Sequence, residues 1–349
     1  MSNSELSIAL IFGGRSAEHE VSILSARSIY NAFDKNKYNI YPIAISKQGN
    51  WLNTEASAEI LNSSSEEVNE NGFSKLISQD ILDFLQNKIE LVFPVLHGPY
   101  GEDGKLQGFL DILNIPYVGC DLTASAVGMD KEIMKKLFDY HKIPQTKFEI
   151  LREFEYNKSE SEELYKRLEN KLGKQFFVKP ANMGSSIGIT RVGNTDDFAE
   201  AVAEAFKYDK KLIFEKAVDG RELEAAVLGS EGDIKVSVPG EIVSTHDFYD
   251  YVAKYKDSAT SLHIPADVGE NTAQKIKETA AEVFNAVGAS GLARIDFFLS
   301  DNNRVLVNEI NTMPGFTKFS MYPLLFEESG ISYSQLLDKL VDIALKKVK

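Results

Sequence analysis

Two short segments carry the densest chemistry in this chain: Arg294-Ile295-Asp296 and Asn308-Glu309-Ile310-Asn311. Both sit in apolar stretches that read as β-strands, and Asn302-Asn303 between them reads as a tight turn. With those two residues as the loop, Asp296 faces Glu309 and Arg294 faces Asn311. Side chains alternate across a strand, so all four share one face. The other face would carry Ile295, Phe297, Leu299, Leu306 and Ile310 as a core. Two carboxylates and an amide oxygen at that spacing suit a hard cation such as Mg²⁺, which usually also takes phosphate oxygens and water. The competing reading is a polar sheet face held by cross-strand salt pairs. The turn chemistry and the Asn311-Thr312-Met313-Pro314-Gly315 run that follows favour the metal.

Other segments add phosphate chemistry. Gly184-Ser185-Ser186-Ile187-Gly188 lies between two apolar strands, and such a loop can turn backbone N–H groups toward phosphate oxygens. Many hairpins need glycines, so the loop alone is a weak signal. Lys179 ends the strand before it, and Lys131 opens a helix after Gly128-Met129-Asp130. Glu215 and Glu222 bracket the Gly220-Arg221 bend; they either hold a ribose hydroxyl pair or are exposed strand charges. Glu18, His19 and Glu20 open a helix after Gly13-Gly14. A carboxylate there either compensates the helix dipole or holds a substrate ammonium. His97 is either a substrate contact or a satisfied turn histidine. His19-Glu20 lacks the second histidine of a zinc helix, and Gly13-Gly14 lacks the third glycine of a dinucleotide fingerprint. No Ser-His-Asp or Cys-His nucleophile set is recognisable.

The elements that must position these residues read as follows. Strands at Ser7–Phe12, Tyr38–Ile45 and Glu90–Val95 alternate with helices at Ala17–Phe33 and Gly104–Leu113, with a short strand at Pro116–Val118. This βαβ pattern implies a parallel sheet with ligands at the strand C-termini. Asn62–Asn71 is polar and reads as a surface loop. An amphipathic helix spans Met129–His141 with Ile133, Met134, Leu137 and Phe138 inward, and a charged helix spans Ser159–Leu172. Strands at Gln175–Lys179 and Gly188–Val192 flank the glycine-rich loop, and strands at Leu212–Glu215 and Glu222–Leu228 follow. Then come a Tyr- and Lys-rich loop at Ser244–Ser261, a helix at Asn271–Val287, the hairpin, and a last helix from Tyr333.

At 349 residues the chain is long enough for two or three domains with sizeable cores. Apolar residues make up 43% and charged residues 26%, a balance normal for a soluble globular protein. A net charge of −14 argues against non-specific binding to nucleic acid or anionic membranes. The single cysteine, Cys120, excludes a disulfide framework and fits a reducing compartment. Neither a signal peptide nor a membrane span is visible, so the expected location is cytoplasmic.

Taken together, these signals describe a nucleotide held between a lysine-bearing flap and a Mg²⁺-binding sheet. The chain resembles the D-alanine–D-alanine ligase family of the ATP-grasp superfamily. The resemblance rests on the run from Ile11 to Ser22, Leu96–Gly104, Met129-Asp130-Lys131, Val178-Lys179-Pro180, Gly184–Gly188, Phe248–Tyr255, Arg294-Ile295-Asp296 and Asn308–Gly315. These stand in the family's order over nearly the whole chain; Tyr100 and Lys105 replace polar residues more usual there. The resemblance implies an α/β fold in three domains: a Rossmann-like parallel-sheet unit at 1–122, a central unit with the flap at 123–214, and a unit with the metal site and lid at 215–349. It implies two-step chemistry: ATP phosphorylates one D-alanine to an acyl phosphate, and the amine of a second D-alanine then attacks. By motif, Lys131, Lys179, Ser186, Glu215, Lys216, Val218, Glu222, Lys254 and Asn308 would bind the nucleotide. Asp296, Glu309 and Asn311 would hold two Mg²⁺ ions, with Mn²⁺ as a substitute. Glu20, Ser185, Tyr255, Arg294 and Gly315 would be catalytic, and Glu20, His97, Arg294, Gly315, Ser320 and Met321 would contact D-alanine. Tyr255 stands where ligases that make a D-lactate ester commonly carry Phe, so the implied product is the dipeptide. The implied assembly is a homodimer. Rival readings are another ATP-grasp ligase, which need not keep the Gly13–Glu20 motif, and a non-catalytic nucleotide-binding regulator, which should have lost Arg294 or a metal ligand. A nicotinamide oxidoreductase would need the missing glycine fingerprint.

Overall fold

The computed structural model describes residues 5–63, 68, 77–243 and 261–347. Three sheets organise them. The first is parallel, with β1 (Leu6–Gly13) between β2 (Tyr38–Ile45) and β3 (Leu91–Val95). β1 is buried from Ser7 to Gly13, which explains its unbroken apolar run, since a central parallel strand is covered on both faces. Helices α1 (His19–Ala32), α2 (Thr54–Asn62), α3 (Gln79–Lys88) and α4 (Lys105–Ile112) accompany this sheet. Between β1 and α1 the chain turns at Gly13, with φ +89°, where a Cβ would stand 2.3 Å from the Ile45 carbonyl oxygen. Only glycine fits that approach.

The second sheet is antiparallel, in the order β4 (Phe148–Arg152), β7 (Lys211–Lys216), β5 (Phe176–Pro180), β6 (Thr190–Val192). Helices α5 (Leu122–Met129) and α6 (Lys131–Tyr140) precede it. Helices α7 (Ser161–Leu172) and α8 (Thr195–Ala205) cover its aromatic face, Phe198 of α8 packing on Phe176 and Phe214 of the sheet. The third sheet contains six strands. β8 (Gly220–Ser230) is central to it, pairing with β9 (Asp233–Val236), β10 (Gly240–Val243) and β12 (Gly291–Ser300). β11 (Ser261–His263) extends the β10 edge, and β13 (Val305–Asn311) extends the β12 edge. One face packs on helix α9 (Glu270–Ala286) through Ile295, Phe297 and Val307. Helices α10 (Met321–Glu328) and α11 (Tyr333–Lys346) share a core with β8 and the first sheet, so the N-terminal unit is anchored to the third sheet by apolar packing.

The hairpin differs from its sequence reading in two ways that cancel. The turn is three residues, Asp301–Asn303, closed by Ser300 N–H donating to the Arg304 carbonyl at 3.1 Å. Asn303 adopts φ +58°, which asparagine tolerates better than most residues. A longer turn shifts the register by one, pairing Phe297 with Val307 and Phe298 with Leu306. A β-bulge at Asn308 then restores it, so Asp296 still faces Glu309 and Arg294 still faces Asn311. Between turn and bulge the faces are exchanged: Val307 is the core residue and Leu306 is only half-buried.

Smaller corrections follow from packing. Ile133, expected inward, is 45% exposed, whereas Lys131, Met134, Lys135 and Phe138 form the buried face of α6. Residues 116–118 contribute a single bridge, Tyr117 to Val92, rather than a strand. α2, α3, α5, α8, α10, β4 and β9–β11 were not expected; all are of eleven residues or fewer. Most of the expected 62–71 loop and nearly all of the expected 244–261 loop lie outside the described residues.

Candidate active site

Two cavities meet where the three sheets converge. One, about 500 Å³, is lined by α1, the 97–102 turn, the end of β13 and residues 313–321. The other, about 330 Å³, lies between the second sheet, its glycine-rich loop and the third sheet. Lys131, Met183, Gly184, Ser185, Glu224, Ile242 and Glu309 line both.

The floor at this junction is a row of carboxylates. β8, β12 and β13 place Glu224, Asp296 and Glu309 side by side in register. Arg294 is two residues before Asp296 and therefore on the same face. Its Nε lies 2.7 Å from Asp296 Oδ1 and its Nη2 lies 2.8 Å from Oδ2. The same Nε lies 2.9 Å from Glu224 Oε2. Asn311 Nδ2 donates to Asp296 Oδ2 at 2.9 Å. Lys131 Nζ stands 3.1 Å from Glu309 Oε2. Two cations, Arg294 and Lys131, thus offset three carboxylates in part.

A second charged cluster lies in the wall of the smaller cavity. Glu215, at the end of β7, is 2% exposed. Lys179 Nζ lies 3.0 Å from its Oε2, and Lys135 Nζ lies 3.5 Å from its Oε1. Thr146 Oγ1 accepts from Lys135 at 3.1 Å. Burial pushes the Glu215 carboxyl up, but Lys135 and Lys179 outweigh it and hold it below the usual range. Burial pulls the Lys135 ammonium down.

The glycine-rich loop closes over this wall. Ser185 and Ser186 both take left-handed conformations, at φ +51° and +59°, a strain that functional loops tolerate when their surroundings enforce it. Gly188 has φ +69° and a Cβ there would stand 2.7 Å from the Tyr208 ring. Lys131 Nζ donates to the Met183 carbonyl at 3.0 Å, tying the loop to Glu309.

At the larger cavity, the Glu18 carboxylate packs against the Gly98 turn, and its Oε2 lies 3.4 Å from where a Cβ on Gly184 would stand. Glu102 faces the same cavity and accepts from Gly98 N–H at 2.8 Å. Burial, reinforced by the charge of Glu18, pushes the Glu102 carboxyl well above the usual range. His97 is buried with both ring nitrogens committed: Nδ1 to the Met313 carbonyl at 2.9 Å and Nε2 to Ser25 Oγ at 3.2 Å. Burial lowers its pKa. Ser25 Oγ also accepts from Phe316 N–H, so the network is satisfied with a neutral ring carrying its proton on Nδ1.

Comparison with known proteins adds to this geometry. Family models described as D-ala D-ala ligase N-terminus and D-ala D-ala ligase C-terminus match residues 7–120 and 137–342. The chain belongs to the D-alanine–D-alanine ligase family. A D-alanine–D-alanine ligase from Halothermothrix orenii is 49% identical over 98% of this chain and 99% of its own length. The solved D-alanine-D-alanine ligase from Coxiella burnetii superposes with a TM-score of 0.84 at 37% identity, covering 99% of this chain and 96% of that one. VanG, a D-Ala:D-Ser ligase from Enterococcus faecalis, gives a TM-score of 0.82 at 36% identity, covering 98% and 100%. The fold is the α/β ATP-grasp architecture of these ligases, with a parallel N-terminal sheet.

Within this ligase fold, most residues singled out by motif come together. Lys131, Lys179, Ser185, Ser186, Glu215, Val218, Glu222, Asp296, Asn308 and Glu309 line the smaller cavity. His97, Arg294, Asn311, Gly315, Ser320 and Met321 line the larger one. Lys216 does not line either cavity; its side chain is exposed at the strand end. Glu20 is also outside, paired with Lys47 at 2.5 Å. Glu18 caps α1 just before its first turn and lines the larger cavity, whereas Glu20, inside that turn, points to Lys47. The committed nitrogens of His97 make it a bracket between α1 and the 313–316 segment rather than a free substrate donor. Lys254 and Tyr255 lie outside the described residues. Glu102, Glu224 and Lys135 were missed, and Glu18 was singled out beside Glu20 but not preferred to it. The signal for Glu18 was its place at the end of the Gly-Gly turn, facing the crevice at the C-terminus of β1.

Proposed function

We propose that this protein joins two D-alanine molecules at the expense of ATP, yielding D-alanyl-D-alanine, ADP and phosphate through a D-alanyl phosphate, and so supplies peptidoglycan synthesis. The observation that carries this reading is the junction itself. The smaller, lysine-bearing cavity suits a nucleotide and opens into the larger, carboxylate-lined cavity, which suits an amino acid; Lys131 and Glu309 line both, and Arg294 lines the amino-acid side. A γ-phosphate and an amino-acid carboxylate can approach each other there.

Each residue's role is assigned from its place in the family motif. Lys131 and Lys179 pair with phosphate charge. Ser186 and the loop backbone cover the phosphates, Glu215, Val218, Glu222 and Asn308 surround adenine and ribose, and Lys216 is assigned to the nucleotide from its motif alone. Lys254 is assigned to the γ-phosphate from its motif. Glu18, in place of Glu20, meets the ammonium of the first D-alanine. Arg294 and the Gly315 N–H receive the negative oxygen of the tetrahedral intermediate. Ser320 and Met321 hold the acceptor carboxylate. Ser185 and Tyr255 order the closed site and exclude water that would hydrolyse the acyl phosphate.

Asp296, Glu309 and Asn311 present oxygen donors on one sheet face, a set that fits Mg²⁺. When bound, the metal neutralises charge on the transferring phosphoryl group. Two ions, with Mn²⁺ as a substitute, belong to this proposal, as do a homodimer, a cytoplasmic location, no nucleic-acid or membrane partner, and domains at 1–122, 123–214 and 215–349. Among the described residues no helix is long and apolar enough to cross a membrane.

The test is ADP release with D-alanine alone, and product mass when L-alanine, D-serine or D-lactate competes as acceptor. D-Alanyl-D-alanine should dominate. No ADP release with D-alanine would refute the proposal, and a dominant D-serine or D-lactate product would refute the acceptor.

A further inference from the structure

Glu224 is a 5%-exposed carboxylate that lines both cavities, and no role described above uses it. Its place in the row is informative. Asp296 lies between Glu224 and Glu309, so a cation shared by Asp296 and Glu309 leaves Glu224 on the far side. Arg294 is held by both neighbours on its own side: Asp296 through a two-point fork and Glu224 through the Nε contact at 2.9 Å. A divalent cation on Asp296 would draw on the oxygens that hold this fork and would repel the guanidinium.

We propose that Glu224 is a positioning residue: it holds Arg294 over the amino-acid cavity once Asp296 is engaged by metal and nucleotide. This rests on the assignment of Arg294 to the tetrahedral intermediate. A guanidinium aimed by one fixed carboxylate loses little orientation on ligand binding, and preorganised charge is what stabilises a developing oxyanion. Glu224 touches neither reacting atom in this account; it acts through Arg294.

The test uses Glu224→Gln, which keeps size and shape, with Glu224→Asp, Arg294→Met and the double variant Glu224→Gln/Arg294→Met. Mg·ADP affinity is measured by calorimetry without D-alanine, and turnover by ADP release. For Glu224→Gln, Mg·ADP affinity should stay within about twofold while kcat falls at least about tenfold, the scale of breaking a buried ion pair. Glu224→Asp should recover part of that loss. In the Arg294→Met background, Glu224→Gln should cost less than about a further twofold, because both act through one group. Independent, multiplying losses would overturn the proposal. So would a Glu224→Gln enzyme that turns over normally, or one whose defect lies wholly in Mg·ADP affinity. Normal turnover by Arg294→Met would instead refute the assignment of Arg294 itself. If Glu224→Gln fails to fold, the Glu224→Asp comparison decides: a kcat equal to wild type with the carboxylate withdrawn from Arg294 would overturn the proposal.

Discussion

Glu215→Gln leaves two buried lysines to share one neutral side chain. Lys135 is fully buried and cannot reach water without moving α6, whereas Lys179 is 7% exposed where it lines the smaller cavity. Glutamine offers one carbonyl oxygen to one lysine and presents N–H groups to the other. Removing one partner of a buried ion pair costs about 3–5 kcal/mol. The retained acceptor and the Thr146 contact to Lys135 argue for the low end, about 3 kcal/mol. For a chain of 349 residues unfolding together, that corresponds to a fall in Tm of about 4 °C. The assay is urea unfolding followed by circular dichroism, with Glu149→Gln as the control. Glu149 pairs at 2.7 Å with the exposed Lys171 and is itself only half-buried, so its loss should cost under about 1 kcal/mol. The pH dependence has a definite sign. Because the lysines hold the folded Glu215 carboxyl below its usual range, its stabilisation is present above that range and disappears as pH falls through the lowered value. The gap between wild type and Glu215→Gln should therefore be full at about pH 7 and close below about pH 4. A gap at neutral pH no larger than that of Glu149→Gln would refute the closed-cluster reasoning.

Glu309→Gln should still fold and should abolish ADP release at ordinary Mg²⁺; normal turnover would remove Glu309 from the metal site. Glu18→Gln should raise the KM for D-alanine by about tenfold or more, the scale of a lost charge-assisted hydrogen bond, whereas Glu20→Gln should leave it within about twofold because the Lys47 pair is half-exposed. The reverse ranking would restore Glu20 to the site. Glu102→Gln should gain thermal stability relative to wild type as pH rises from about 5 to about 8. The folded carboxyl is raised, so wild type loses stability above the ordinary carboxylate range as the unfolded chain ionises, and glutamine does not. An equal Tm difference at both pH values would show that Glu102 ionises freely.

The sequence by itself determined the order of the motifs, the parallel N-terminal sheet, and the gathering of Arg294, Asp296, Glu309 and Asn311 on one face. Each of those depends on local rules: strand alternation, a turn between two strands, and glycines at a strand end. The hairpin shows how far such rules reach. The loop is one residue longer than Asn302-Asn303, and the bulge at Asn308 compensates, so the functional pairing survived while Leu306 and Val307 exchanged faces. A bulge has no reliable local signature, because it is stabilised by what the strand packs against.

The tertiary structure alone decided which distant residues complete the site. Glu224 lies some seventy residues before Asp296 in the chain and reaches it only because β8 pairs with β12. Lys135 reads as a polar position on an amphipathic helix, yet it is fully buried because Glu215, on another element, supplies its counter-charge. Glu18 and Glu20 are nearly equivalent in the motif, and the direction from which α1 leaves β1 separates them. His97 could be recognised as a bracket only once Met313 and Ser25 stood on either side of its ring. In each case the deciding interaction joins elements far apart in sequence. Local propensity and spacing carry no information about such pairings, because burial and charge compensation are set by the assembled sheets.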